Sequence, residues 1–113
     1  MISMKANILG TKYTIIEGSE SEFPALSDGD GYTDFTLHKC VIDDMKSLDG
    51  NPDALGDLEA HKRRVMRHEI VHAFLEESGL ASNSDWARNE EMIDWFAIQS
   101  PKIFKVFTEL GLL

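Results

Sequence analysis

Two short runs in the first half of the chain are rich in β-branched or aromatic residues and end at Gly, Ser or Asp clusters: Lys12 to Ile16 (KYTII) and Thr36 to Ile42 (TLHKCVI). Both are predicted as strands. Between them, 19–31 (SESEFPALSDGDG) mixes Ser, Asp, Gly and Pro around Phe23 and Leu26, the pattern of a loop with one apolar anchor. Tyr32 then stands at the mouth of the second strand. Strands and loops therefore occupy about residues 1–46.

The second half changes period. From Leu58 to Glu77, Val65, Met66, Ile70, Ala73 and Phe74 recur at helical spacing, predicting a long helix within about 52–78. Its start falls either at Asn51-Pro52 or at Asp57 after Gly56, and Gly79 suits the left-handed position that ends it. A second helix is predicted over about 84–99, capped by Asn83 or Ser84. Ser100 and Pro101 read as the start of a third over about 101–110, with Ile103, Phe104, Phe107 and Leu110 as its apolar face and Gly111 as its end. Trp86, Trp95, Phe96, Phe104 and Phe107, with Met92 and Ile93, are expected in the core because they recur at helical spacing. Strands followed by helices argue for an α+β domain, with the helices on one face of a small sheet.

A length of 113 residues fits one domain, and apolar and charged fractions of 42% and 27% are those of a folding chain. No run approaches the roughly 18 apolar residues of a membrane span, and the start, MISMKANILG, lacks a secretory pattern. With a single Cys40 that cannot pair within the chain, the expectation is a cytoplasmic protein. A formal net charge of −9 disfavours nucleic acid and anionic membranes as partners. The one basic cluster, Lys62, Arg63, Arg64 and Arg67, reads as a solvated helix face, with Glu59 at i,i+4 to Arg63.

The chemically informative segment is Arg67 to Ala73, RHEIVHA. On a helix, His68 and His72 stand one turn apart with Cβ atoms about 5–6 Å from each other, so both can reach one metal ion at roughly 2.0–2.1 Å. Glu69 is rotated from His68 by about 100°, where it can flank the metal without binding it and act as general base on a zinc-activated water. This is the content of an HExxH pattern, which arises by chance in roughly one of eighty chains of this composition. A catalytic zinc site wants three protein ligands and an open position. No His follows His72, and Leu75 and Ser78 stand where a metzincin carries Gly and a third His. The third ligand is therefore sought in Asn89 to Asp94, NEEMID, where Glu90 and Asp94 share a helix face: one can bind the ion while the other accepts the second N–H of an imidazole.

HEIVH followed by NEEMID resembles the gluzincin metallopeptidases, in which a glutamate on a nearby helix completes the zinc site. The resemblance implies Zn2+ held by His68, His72 and Glu90, with Asp94 behind a ligand. Seventeen residues separate His72 from Glu90 and eighteen separate it from Glu91, so the pattern favours Glu90 and the family's usual gap favours Glu91. HEIVHAFLEESGL with NEEMIDWFAIQ is also similar to small phage-encoded and prophage-encoded metallopeptidase-like proteins, related in style to the ImmA/IrrE peptidases. That likeness covers about a third of the chain and implies a minimal zincin-like fold acting on an intracellular protein or peptide. No motif assigns an oxyanion stabiliser; Tyr32 and His38 are the candidates, with Tyr13 and His61 behind them. His61 lies about 10 Å up the helix from His68, too far to share a metal.

Two other readings stand beside the peptidase. The same residues could hold zinc that only stabilises a regulatory or interaction module, or the chain could be a metal-free interaction domain. Coordination number and metal content separate the three.

Overall fold

Apolar side chains at Ile2, Met4, Ala6 and Ile8 alternate with Ser3, Lys5 and Asn7, and this segment forms β1 (Ile2–Ile8) in the computed structural model, which describes residues 2–113. Leu9 and Gly10, both at positive φ, turn it directly into β2 (Thr11–Gly18), the twist-matched form of a two-residue hairpin. β3 (Gly31–Asp34) and β4 (Lys39–Asp43) complete a four-stranded sheet of order β1-β2-β4-β3, with β2 and β4 parallel and the outer pairs antiparallel. The α+β class expected from the pattern is the class found. β1 lies outside the predicted strands because Met, Ser, Lys and Asn carry little β preference; it is an edge strand, held by its period of two.

The second predicted strand is shorter than read. Asp34 Oδ1 accepts hydrogen bonds from the backbone N–H groups of Thr36 at 2.9 Å and Leu37 at 3.1 Å, which bends the chain there. Residues 35–38 are thus the β3–β4 turn, with His38 at φ 54°, and not strand. The 19–30 connection crosses the sheet as expected for an anchored loop. A 3-10 segment at Pro24–Asp28 buries Leu26, and Phe23 lies under the Lys39 ammonium.

The other face of the sheet carries α1 (Leu58–Glu77), which starts at the later of the two boundaries considered because Asp57 Oδ1 caps it by accepting from Ala60 N at 2.9 Å. Ala73 is buried among Ile8, Tyr13, Ile15 and Cys40, with Met66 and Ile70 beside them. Gly79, at φ 83°, ends the helix as expected. A short α2 (Leu80–Asn83) and a 3-10 turn at Asp85–Arg88 lead to α3 (Glu90–Glu109), which packs on α1. α3 is capped by Asn89, whose Oδ1 accepts from Met92 N at 2.8 Å, and neither Asn83 nor Ser84 does this.

Ser100 and Pro101 do not begin a new helix; α3 runs through both. Proline costs a helix the hydrogen bond to the carbonyl four residues earlier, here Ala97. Arg67 Nε donates to Ala97 O at 2.6 Å and supplies the missing donor from α1. Arg67→Met leaves this carbonyl without its donor, and we expect a loss of about 1–3 kcal/mol in urea unfolding. Adding Pro101→Ala restores an N–H and recovers most of the loss; a double variant no more stable than Arg67→Met would show that Arg67 acts some other way.

The basic cluster is accordingly not a purely solvated face. Lys62 bridges Glu59 at 2.8 Å and Glu17 at 3.1 Å, Arg64 holds Asp94 at 2.7 Å, and only Arg63 is exposed. Glu59 pairs at i,i+3 with Lys62 and not at i,i+4 with Arg63. The core expectation for the helical apolar residues holds only in part. Ile93 is fully buried and Met92 and Phe96 are half-buried, but Trp86, Trp95, Phe104 and Phe107 are exposed. The core is made of strand residues with Leu26, Met45, Ile93 and small alanines of the helical half, Ala73 and Ala97 among them. Helical spacing puts side chains on one face, but it does not supply the element that covers them. Among the described residues no helix is long and apolar enough to cross a membrane.

Candidate metal centre

The antiparallel packing of α1 and α3 brings the middle of one helix against the first turn of the other. His68 Nε2 and His72 Nε2 lie 3.2 Å apart, and Glu90 reaches both, with Oε2 at 2.9 Å from His68 Nε2 and Oε1 at 3.0 Å from His72 Nε2. Among the described residues, His68, His72 and Glu90 form a group whose ligand atoms lie within 4.8 Å of one another and which can hold a metal ion. Glu91, one position on, is exposed and outside the group. The separations are close to the roughly 3.3 Å edge of a tetrahedron whose centre is about 2.0–2.1 Å from each corner, so a small outward shift accommodates a metal ion at that ligand distance.

Tautomer chemistry strengthens the fit. Asp94 Oδ1 stands 3.3 Å from His68 Nδ1, so a neutral His68 protonated on Nδ1 finds an acceptor there and turns its Nε2 lone pair to the group. In that tautomer, and with His72 Nε2 unprotonated, the lone pairs of both imidazoles and the Glu90 carboxylate converge on one place, where a cation can be held between them. Asp94 is itself fixed by Arg64. Burial works to raise the Asp94 pKa, but the Arg64 hydrogen bond and charge, joined by His68, outweigh it and hold the carboxyl below its ordinary value.

Glu69 faces the sheet side of the same cluster and is only 7% exposed. Thr33 Oγ1, on β3, donates to Glu69 Oε1 at 2.9 Å and lies 3.1 Å from the Glu69 carbonyl. Burial raises the Glu69 pKa above the usual carboxylate range, opposed by the Thr33 hydrogen bond and by the two histidines. The strand approaches the helix this closely because residue 31 is glycine. A Cβ there would stand 2.8 Å from Val65 Cγ1, 3.1 Å from the Val41 carbonyl and 3.2 Å from Glu69 Cγ.

A cleft of about 480 Å³ opens over the cluster, walled by Thr33, Phe35, Glu76, Ala87 and Arg88 as well as the ligand group. A smaller hollow of about 260 Å³ continues it past Glu69 toward His61, Asp30 and Arg64. His61 bonds Asp30 at 2.8 Å and stands apart from the His68–His72–Glu90 group.

The two residues considered as oxyanion stabilisers are not brought to the cluster in that role. Tyr32 borders the cleft as part of β3, but the alternation that aims Thr33 at α1 turns the Tyr32 side chain to the opposite face of the sheet. His38 lies on the β3–β4 turn beside Tyr13, with its ring centroid 5.3 Å from the tyrosine's, and 3.9 Å from Glu77 at the far end of α1. Tyr13 is fully buried, and burial with its hydrogen bond to Glu77 keeps its hydroxyl protonated. Thr33, Gly31, Arg64 and Arg88 were not singled out for the site by sequence. The roles of Thr33, Gly31 and Arg64 depend on contacts across long sequence separations, such as 36 residues from Thr33 to Glu69, and no local spacing encodes them. Arg88 is held locally by Asp85 and the Ala81 carbonyl but faces the cleft only through the packing of its turn. Compared with models of known protein families, with curated proteins and with solved structures, the chain matches none of them.

Proposed function

We propose that this chain is a zinc-dependent peptidase of gluzincin type, with His68, His72 and Glu90 as ligands and Glu69 as general base. The observation that carries the reading is the convergence of three ligand atoms beside a buried carboxylate that is not one of them. Zinc held there would supply Lewis acidity, lowering the pKa of a water toward about 7. The Thr33 hydroxyl fixes Glu69 Oε1 and leaves Oε2 to accept a proton. The raised proton affinity of the buried group suits a base that takes a proton from the attacking water and returns it to the leaving amine.

A peptide substrate is supported by β3. It is an edge strand, and Asp43 N–H bonds the Asp30 carbonyl at 2.8 Å, which fixes the alternation of the ladder. By that alternation Gly31 and Thr33 direct their backbone N–H and C=O groups away from β4 and toward the open edge beside the cleft. An extended peptide adds to such an edge by main-chain hydrogen bonds. The setting proposed with this activity is cytoplasmic, which accords with Cys40 as a buried free thiol.

One observation favours a second reading, a zinc-stabilised regulatory module without turnover: neither Tyr32 nor His38 is aimed at the cluster. Zinc titration and cobalt-substituted spectra of the full chain, with cleavage of a mixed peptide library, decide between them. We expect one metal per chain, three protein ligands with an exchangeable fourth position, and cleavage that a chelator stops and zinc restores. Four protein ligands, or a zinc-loaded chain that cleaves nothing in the library, supports the second reading. A chain that binds no zinc removes both.

A further inference from the structure

The face of α3 that packs on α1 does not stop where α1 stops. Ile93, Ala97, Ser100, Phe104 and Phe107 follow one another at spacings of four and three, the seam of a helix built to pack against another helix. The first three are buried, at 0%, 0% and 3% exposure, whereas Phe104 and Phe107 are 47% and 39% exposed. Antiparallel packing explains the change. Glu90 meets His72, Asp94 meets Arg64 and His68, and Ala97 meets Arg67, so α3 has passed the start of α1 at Leu58 within about one turn of Phe104.

From Pro101 onward every residue except Ile103 is exposed, and the ring contacts of Phe104 are with Phe96 and Phe107 of its own helix. The hydrogen bond and ion pair of this stretch, Thr108 to the Phe104 carbonyl and Lys105 to Glu109, are also internal to it. The projection shows in the dimensions, with a radius of gyration of 15.0 Å against about 13 Å for a compact chain of this length. A stretch of helix without tertiary cover lacks the packing that normally holds helices in place.

We infer that this overhanging seam pairs with the same seam of a second copy of the chain, antiparallel about a twofold axis near Phe104 and Phe107. Charge on the overhang selects this occupant. Lys102, Lys105 and Glu109 all fall on the side of the helix opposite the seam, so the seam has no charge with which to choose a charged partner. The overhang also bears a small net positive side-chain count in a −9 chain, two lysines to one glutamate, so two copies meeting there avoid the repulsion of the acidic surface. What fits an uncharged Phe seam on a helix is another such seam, and a twofold supplies it. Phe104, Phe107 and the Leu110, Leu112 and Leu113 that follow them are 39–77% exposed, on the order of 600 Å² per copy, and complete burial of that area in both copies approaches the lower end of the roughly 1,200–2,000 Å² of stable interfaces.

Sedimentation equilibrium of the full chain over about 1–500 µM tests this, with a dimer at that interface size expected to dissociate at micromolar concentration. We expect the mass to double across the range. The variant carrying Phe104→Glu and Phe107→Glu stays monomeric throughout with unchanged far-ultraviolet circular dichroism. Trp95→Glu, an exposed apolar residue outside the seam, leaves the doubling intact. A wild-type chain monomeric at about 500 µM overturns the inference, because the seam then serves another occupant. So does association that survives the double Phe variant, or that Trp95→Glu abolishes while the Phe variant does not.

Discussion

Glu69→Gln is expected to keep the fold and the bound zinc while peptide hydrolysis falls by about 10²–10⁴-fold, the range for loss of a positioned general base. Gln is nearly isosteric with Glu, and its amide oxygen can still accept from Thr33 Oγ1 as Glu69 Oε1 does at 2.9 Å. The site is thus left in place, without the charge needed to take a proton from water. Zinc stoichiometry and thermal unfolding serve as controls on the same sample. A Glu69→Gln protein with wild-type turnover would remove Glu69 from the mechanism, and one that lost zinc as well would mean that the carboxylate acts structurally.

Deleting metal ligands and their supports should give a graded series. His72→Ala removes a lone pair from the group and is expected to weaken zinc binding by well over about 100-fold, since outer partners of ligands alone cost about 10–100-fold. Asp94→Ala falls in that smaller range: His68 keeps its place on α1 but loses the acceptor, 3.3 Å from Nδ1, that fixes its tautomer. Competition titration against a chromophoric chelator reads both. Equal losses for the two variants would mean that Asp94 is itself a ligand; no loss for His72→Ala would dissolve the proposed site. Glu91→Ala, exposed and outside the group, should change nothing.

The His68–Glu69–His72 spacing was legible in the sequence because it is a one-turn relation, and helix geometry turns such a spacing into a distance. Glu90 and Asp94 were legible as a pair for the same reason, but the choice of Glu90 over Glu91 was not. That choice depends on how α3 is rotated and on where Asn89 caps it, which are settled by packing on α1. The break expected at Ser100 and Pro101 follows from local preference alone, and tertiary structure overrides it. The compensating donor comes from Arg67, thirty-four residues before the proline, and the local sequence has no trace of it. Thr33 against Glu69 and Gly31 against Val65 are likewise contacts between distant segments. β1 is a different case. Its alternation was present from Ile2 to Ile8, and low β preference at Met, Ser and Lys concealed it.

The Arg67–Ala97 contact also works as a vernier for the site. Arg67 immediately precedes His68, and Ala97 lies about two turns beyond Glu90, so a single side chain ties the helix with two of the proposed ligands to the helix with the third. Slippage of α3 along α1 by one residue would move Glu90 by about 1.5 Å, enough to carry it out of reach of an ion held at about 2 Å. The proline within α3 thereby frees one carbonyl in the body of the helix for Arg67 to grip, and that grip indexes the two halves of the site to each other.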